Sequence, residues 1–270
     1  MNTLSWPRSR GEFRPTRVRK CFKLVTIQFV LVLTALLTTL LPAVDPVRIS
    51  DPNFHGWLMY FGDHPVNDKW GIHLEAQWRR NQGFNRWQQS FFRPAVNYEI
   101  NKSAQVAFGY AFAKTYPYGD FPVRQAFDEH RIYQQFVYRK PRKRVNLQYR
   151  VRFEQRWLDV QEQVALGPLP HREWRLQNRL RLNFRMDVPL TPKTYLAFFN
   201  ELMLHVPPNM APRKIDQNRA YGAIGYRAHP NWRLEMGYLH QHLVQRNNRI
   251  LEDNHTIQLA VYSTLRFKKK

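Results

Sequence analysis

The stretch from Arg144 to Trp157, RVNLQYRVRFEQRW, alternates polar and apolar side chains almost without a break. Arg144, Asn146, Gln148, Arg150, Arg152, Glu154 and Arg156 fall on one parity. Val145, Leu147, Tyr149, Val151, Phe153 and Trp157 fall on the other, and only Gln155 departs from the pattern. A period of two sends successive side chains to opposite faces of a sheet, and the run exceeds the roughly 9 to 11 residues that a tilted strand needs to cross a bilayer. It reads as a membrane-spanning strand, apolar outside and charged inside.

The same alternation recurs along the chain from Asp51 onward, with turn signals between the runs and no convincing helical period. Strands are expected near 55–63, 69–80, 86–98, 104–115, 128–139, 143–157, 173–187, 194–206, 215–228, 231–244 and 254–267. One parity is consistently apolar: Ile72, Leu74 and Trp78; Val106, Phe108, Tyr110 and Phe112; Trp174, Leu176, Leu180, Leu182, Phe184 and Met186; Trp232, Leu234, Met236 and Tyr238; Ile257, Leu259, Val261, Leu265 and Phe267. Strands of a soluble sandwich usually run five to six residues, about half of these lengths. The fold class is therefore all-β, an antiparallel transmembrane barrel.

Connections alternate in length. Short ones fall at Ile100 to Ser103, Lys140 to Arg142, Pro189 to Lys193 and His229 to Pro230, and long ones at Tyr116 to Phe127, Leu158 to Arg172 and Pro207 to Lys214. Bacterial outer-membrane barrels show this asymmetry between periplasmic turns and external loops, and they use even strand numbers. Eleven runs are awkward on that rule: the first and last both descend. The expected count is ten to twelve, with an even closure requiring an extra strand in residues 44–53 or exclusion of the first run.

A basic head and an apolar run ending at Ala43 have the order of a secretory signal. The expected organisation is a cleaved signal peptide over 1–43, a linker or extra strand over 44–54, and a barrel over 55–267. The destination is the outer membrane of a Gram-negative cell, with its lipid and its assembly machinery as expected partners. Cys21, the sole cysteine, lies in the leader, so no disulfide is expected within the barrel.

The formal charge is +22, and beyond residue 43 the chain still carries 35 basic against 19 acidic residues. Such an excess suits nucleic acid, an anionic surface or acidic ligands. Nucleic acid is not expected as a partner, because the arginines are interleaved with outward apolar residues and form no solvated patch with stacking aromatics. No glycine-rich phosphate loop, zinc-type cysteine pattern or calcium loop occurs, and neither a cofactor nor a metal is expected.

Serine and histidine give little chemistry. If the last hairpin closes with Gln245 opposite Glu252, His242 faces His255 and lipid-facing Ser263 sits opposite Leu234, roughly 20 Å from His240. No catalytic dyad follows, and His242 with His255 alone would offer a metal only two ligands. An enzyme acting on envelope lipids would have to use a lumen carboxylate such as Glu154 or Glu201 with an arginine or His130.

The basic lumen is the stronger signal. Pairing Arg156 with Arg175 would oppose Arg152 to Arg179 and Arg150 to Arg181, and directly opposed like charges destabilise a sheet unless neutralised. Glu75, Glu129, Glu154, Glu201 and Glu235 share the inward parity and could supply the neutralisation. Arg79, Arg93, Arg131, Arg219 and Arg233 share it too, so inward arginines outnumber these glutamates. Arg150, Arg152, Arg156, Arg175, Arg179 and Arg181 are the candidates for binding a small anionic ligand, a solute or a lipid headgroup, through the planar guanidinium fork. A structural barrel whose external loops hold a partner is the third possibility.

Several strings taken in order are similar to a bacterial family. They are WLMYFGDHPVNDKWGIHLEAQWR, FRPAVNYEINKSAQVAFGYAFAKTYPYG, Glu129-His130-Arg131 with Tyr133-Gln134-Gln135, RFEQRW, NRLR before Val188-Pro189-Leu190, Asn200-Glu201 and DQNRAYGAIGY. Together they resemble the family catalogued as domain of unknown function 2490. The resemblance runs from about Trp57 to the C-terminus and implies an outer-membrane barrel, with no established activity to carry over.

Overall fold

The structure is a computed structural model that describes residues 48–142, 145–162, 171–207, 214–245 and 248–266. The expected signal segment, Arg144, Phe267 and most of the expected long loops at 158–172 and 207–214 lie outside these residues. Among those described, the chain forms eleven strands: β1 (Ile49–Pro65), β2 (Trp70–Asn81), β3 (Arg86–Glu99), β4 (Ala104–Thr115), β5 (Phe127–Pro141), β6 (Asn146–Glu162), β7 (His171–Pro189), β8 (Thr194–Val206), β9 (Ile215–His229), β10 (Trp232–Val244) and β11 (Ile250–Ser263). Each neighbours the next, and β1 meets β11 to close a barrel.

The count falls within the expected ten to twelve, at eleven, and the even closure of the usual rule does not occur. All sequential neighbours run antiparallel, but β1 and β11 pair in parallel, from Ile49 opposite Ile250 to Gly62 opposite Ser263. Residues 49–54 need no extra strand, because they are the leading end of β1. Pro52 falls there, where β1 has β11 but not yet β2 as a neighbour, and a missing N–H is tolerated at such an edge.

Alternation places the two faces as expected. Phe108, Trp174, Phe184, Met236 and Ile257 lie exposed on the outer surface, while Glu154, Arg152, Arg179 and Glu201 are buried inside. Leu265 lies beyond the end of β11, and Ser263, expected on the lipid face, is buried opposite Trp232. The connections after β1, β3, β5, β7 and β9 are all short. The opposite end carries the longer ones, although the connection after β2 spans only residues 82–85.

Two hairpin registers differ from expectation by two residues. Across β6 and β7, Arg156 faces Gln177, Glu154 faces Arg179, Arg152 faces Arg181 and Arg150 faces Asn183. Across β10 and β11, His240 faces His255 and His242 faces Asp253. A two-residue slip preserves every face, since side chains repeat with period two, but it changes every partner.

The interior is divided. Trp57, Met59, Tyr195, Ala197, Tyr221, Ala223, Leu239 and Ala260 form an apolar cluster on β1 and β8 to β11. The remaining wall, β2 to β7, carries most of the arginines and glutamates. Gly225 makes the apolar side possible, because a Cβ there would intrude on the Tyr195 ring.

Candidate functional site

Glu154 is the hub of the charged wall. It is fully buried and accepts from Arg179 Nη2 at 2.6 Å and from Arg181 Nη1 at 2.8 Å. Arg93, Arg131 and Arg152 approach the same carboxylate at 3.8, 3.9 and 3.8 Å. Glu201 takes Arg150 at 2.6 Å and Arg181 at 2.7 Å. Glu129 takes Arg131 at 2.7 Å and Arg156 at 2.5 Å, and Glu75 takes Arg93 at 2.5 Å. Glu235 pairs with Arg185 and accepts from Tyr195 at 2.8 Å and Tyr262 at 3.1 Å.

The lumen glutamates are thus engaged, and so are most of the six candidate arginines. Arg175 stands apart near the open end of β7, with Nε 3.3 Å from Glu173. Arg152 is the weakest paired of the inner five. Its hydrogen bonds go to Gln135, and its Nη1 has no hydrogen-bond partner although buried. His130 cannot assist Glu154 or Glu201, because it projects from the outer face among Tyr110, Phe112 and Trp174.

Asp216 and Gln88 join the lumen against their strand parity. The β8–β9 register breaks between Met203 and Leu204, and the bulged Asp216 turns inward to meet Arg179 at 2.9 Å and Arg156 at 3.7 Å. A second irregularity between Arg79 and Arg80 turns Gln88 inward, where its Oε1 accepts from Trp57 Nε1 at 2.7 Å. Bulges re-aim single side chains in this way, and uniform alternation does not reveal them.

Beside this balanced belt lies a less balanced region. Arg79 stacks 4.0 Å above the Trp57 ring and donates to Gln77 and Gln89, with no carboxylate partner among the described residues. Arg219 lies 5.5 Å from the same ring, and its nearest acid among the described residues, Glu201, is 3.8 Å away and already shared. Both face a lumen cavity of about 1650 Å³. Fifteen Lys and Arg residues line that cavity against eight Asp and Glu, and counting the buried Glu154 and Glu235 still leaves the cations ahead.

The connection between β4 and β5, residues 116–126, leans over the cavity mouth. Tyr118 donates to Glu252 Oε2 at 2.8 Å, the Asp120 N–H donates to Asp51 at 3.3 Å, and Gln245 donates to the Phe121 carbonyl at 3.0 Å. Gly119 adopts φ +77°, and a Cβ there would lie 2.8 Å from Asp51 Oδ2. Tyr118 is half-buried, and its desolvation, followed by the Glu252 charge, pushes its phenol well above the usual value.

Residues 54–252 match the family described as protein of unknown function DUF2490. The chain belongs to this family. The DUF2490 match runs from within β1 to the start of β11 and so contains the whole charged belt. Among solved structures, this DUF2490 chain is similar to one titled as the NanC porin in a rhombohedral crystal form. The identity is 14%, the TM-score is 0.43, and the match covers 72% of this chain and 90% of that one. No curated protein matches the sequence.

Proposed function

We propose that this protein is an outer-membrane barrel of a Gram-negative cell that admits or holds a small anionic solute, or an anionic lipid headgroup, in its lumen. The carrying observation is Arg79 and Arg219 beside Trp57, two guanidinium groups facing the cavity with little or no carboxylate compensation. Within a poorly solvated lumen, uncompensated cations lower the energy of an entering anion and raise that of a cation. The paired arginines of the belt set the wall, and the less compensated ones set the sign of the potential.

The apolar outer face and the basic, then apolar, leader support the location. The loop at 116–126 supports a selective entrance over a wide one, because it holds Tyr118 and Phe121 across the mouth. Planar-bilayer conductance with titration by inorganic phosphate and by a small carboxylate tests the proposal. Anion-dependent conductance, or saturable block by either probe, is expected. A silent barrel that binds neither rejects it.

A further inference from the structure

The histidines of the last hairpin acquire new meaning from the register shift. His240 with His255, and His242 with Asp253, are successive cross-strand pairs on the outer face of β10 and β11. Side chains of such neighbouring pairs project side by side, with Cβ atoms of each pair about 5 Å apart. His240 Nε2 lies 2.5 Å from Asp253 Oδ1, and His242 Nδ1 lies 3.4 Å from that same oxygen. The His255 ring stacks on His240 with centroids 5.1 Å apart. Donor atoms of His240, Asp253 and His255 all fall within 4.8 Å of one another.

We infer that this cluster is a binding site for one divalent transition cation, Zn(II) being the best match. His240, His255 and Asp253 supply two imidazoles and one carboxylate, a suitable donor set for zinc, and His242 lies beside the same carboxylate oxygen. Bonds of about 2.0 to 2.2 Å in a tetrahedron place the donors about 3.4 Å apart, the separation of His242 from Asp253. The closer His240 nitrogen needs to move by less than 1 Å. Tyr238 places its hydroxyl 2.5 Å from His255 Nδ1, fixing the ring and leaving Nε2 as its coordinating nitrogen. Such outer partners orient metal-binding histidines.

The site lies outside the lumen and is independent of the proposed solute. Its test is calorimetric titration of the detergent-solubilised full chain with Zn(II), together with the visible absorption of Co(II) in its place. One equivalent is expected, with the absorption of a tetrahedral nitrogen–oxygen field. H240A, H255A and the size-preserving D253N should each weaken binding tenfold or more, whereas H130A on the outer face of β5 should leave it unchanged. Circular dichroism establishes that each variant is folded. Should an alanine variant not fold, D253N and the wild-type Co(II) spectrum decide. Absence of saturable Zn(II) binding by the wild type, or undiminished binding by the folded variants, overturns the site.

Discussion

Glu154 on β6 faces Arg179 on β7, and Arg179 donates to its Oε2 through Nε at 3.0 Å and Nη2 at 2.6 Å. Arg181 donates to the other oxygen at 2.8 Å. One buried carboxylate therefore holds two arginines directly and lies within 4 Å of three more. Removing one partner of a buried ion pair strands the other charge, which costs about 3 to 5 kcal/mol. Glu154→Gln should lower the unfolding free energy in detergent by about 3 kcal/mol or more, read from denaturant titration. A change below about 0.5 kcal/mol, the size of an ordinary surface substitution, would mean that the belt does not hold the strands.

Tyr195 reaches Glu235 over Gly225, where no side chain can fit beneath the ring. Gly225→Ala should displace the ring and weaken that hydrogen bond, with the 1 to 3 kcal/mol cost of overpacking as a rough guide. Thermal unfolding followed by near-ultraviolet dichroism reads both the stability and the tyrosine environment. An unchanged spectrum and midpoint would contradict the packing described.

Met236 is among the most exposed residues of the outer face, at 62%. Met236→Arg should destabilise the barrel in lipid vesicles by about 2 kcal/mol, within the range for a basic side chain facing hydrocarbon. The same substitution should be nearly silent if that face meets water, so its effect on stability in vesicles reads the surroundings of the barrel directly.

Tyr118 ties the loop at 116–126 to Glu252. Its hydroxyl bond to a charged acceptor is worth about 1.5 to 3 kcal/mol locally, so Tyr118→Phe should speed hydrogen exchange through residues 116–126 while leaving exchange in the strands unchanged. The pH dependence has a definite sign. Because the folded phenol is raised above its unfolded value of about 10, its contribution is fully present below that pH and declines as pH climbs past it. Exchange in the loop should therefore be insensitive to phenol titration at neutral pH and accelerate in strong alkali.

The faces of the barrel were legible in the sequence because parity alone sets them. Arg152, Glu154, Arg179 and Glu201 point inward wherever the hairpins close. Registers were not legible, because the turn that sets them leaves no trace in an alternating pattern. The two-residue slip at β6 and β7 turned the expected Arg152–Arg179 clash into the Glu154–Arg179 pair, and the one at β10 and β11 assembled the histidine cluster. Asp216 and Gln88 were hidden by bulges that reverse local parity. The eleven runs were legible one by one, but the parallel β1–β11 seam that lets an odd number close was not, since the usual even closure provides no such seam.

The central claim is that the lumen carries a net positive potential set by cations lacking full carboxylate compensation, Arg79 and Arg219 foremost. The reversal potential across a planar bilayer under a potassium chloride gradient tests it most directly. The wild-type barrel should prefer chloride, and the folded R79Q/R219Q double variant should lose a substantial part of that preference. A cation preference in the wild type, or an anion preference that the double substitution leaves untouched, would contradict the account.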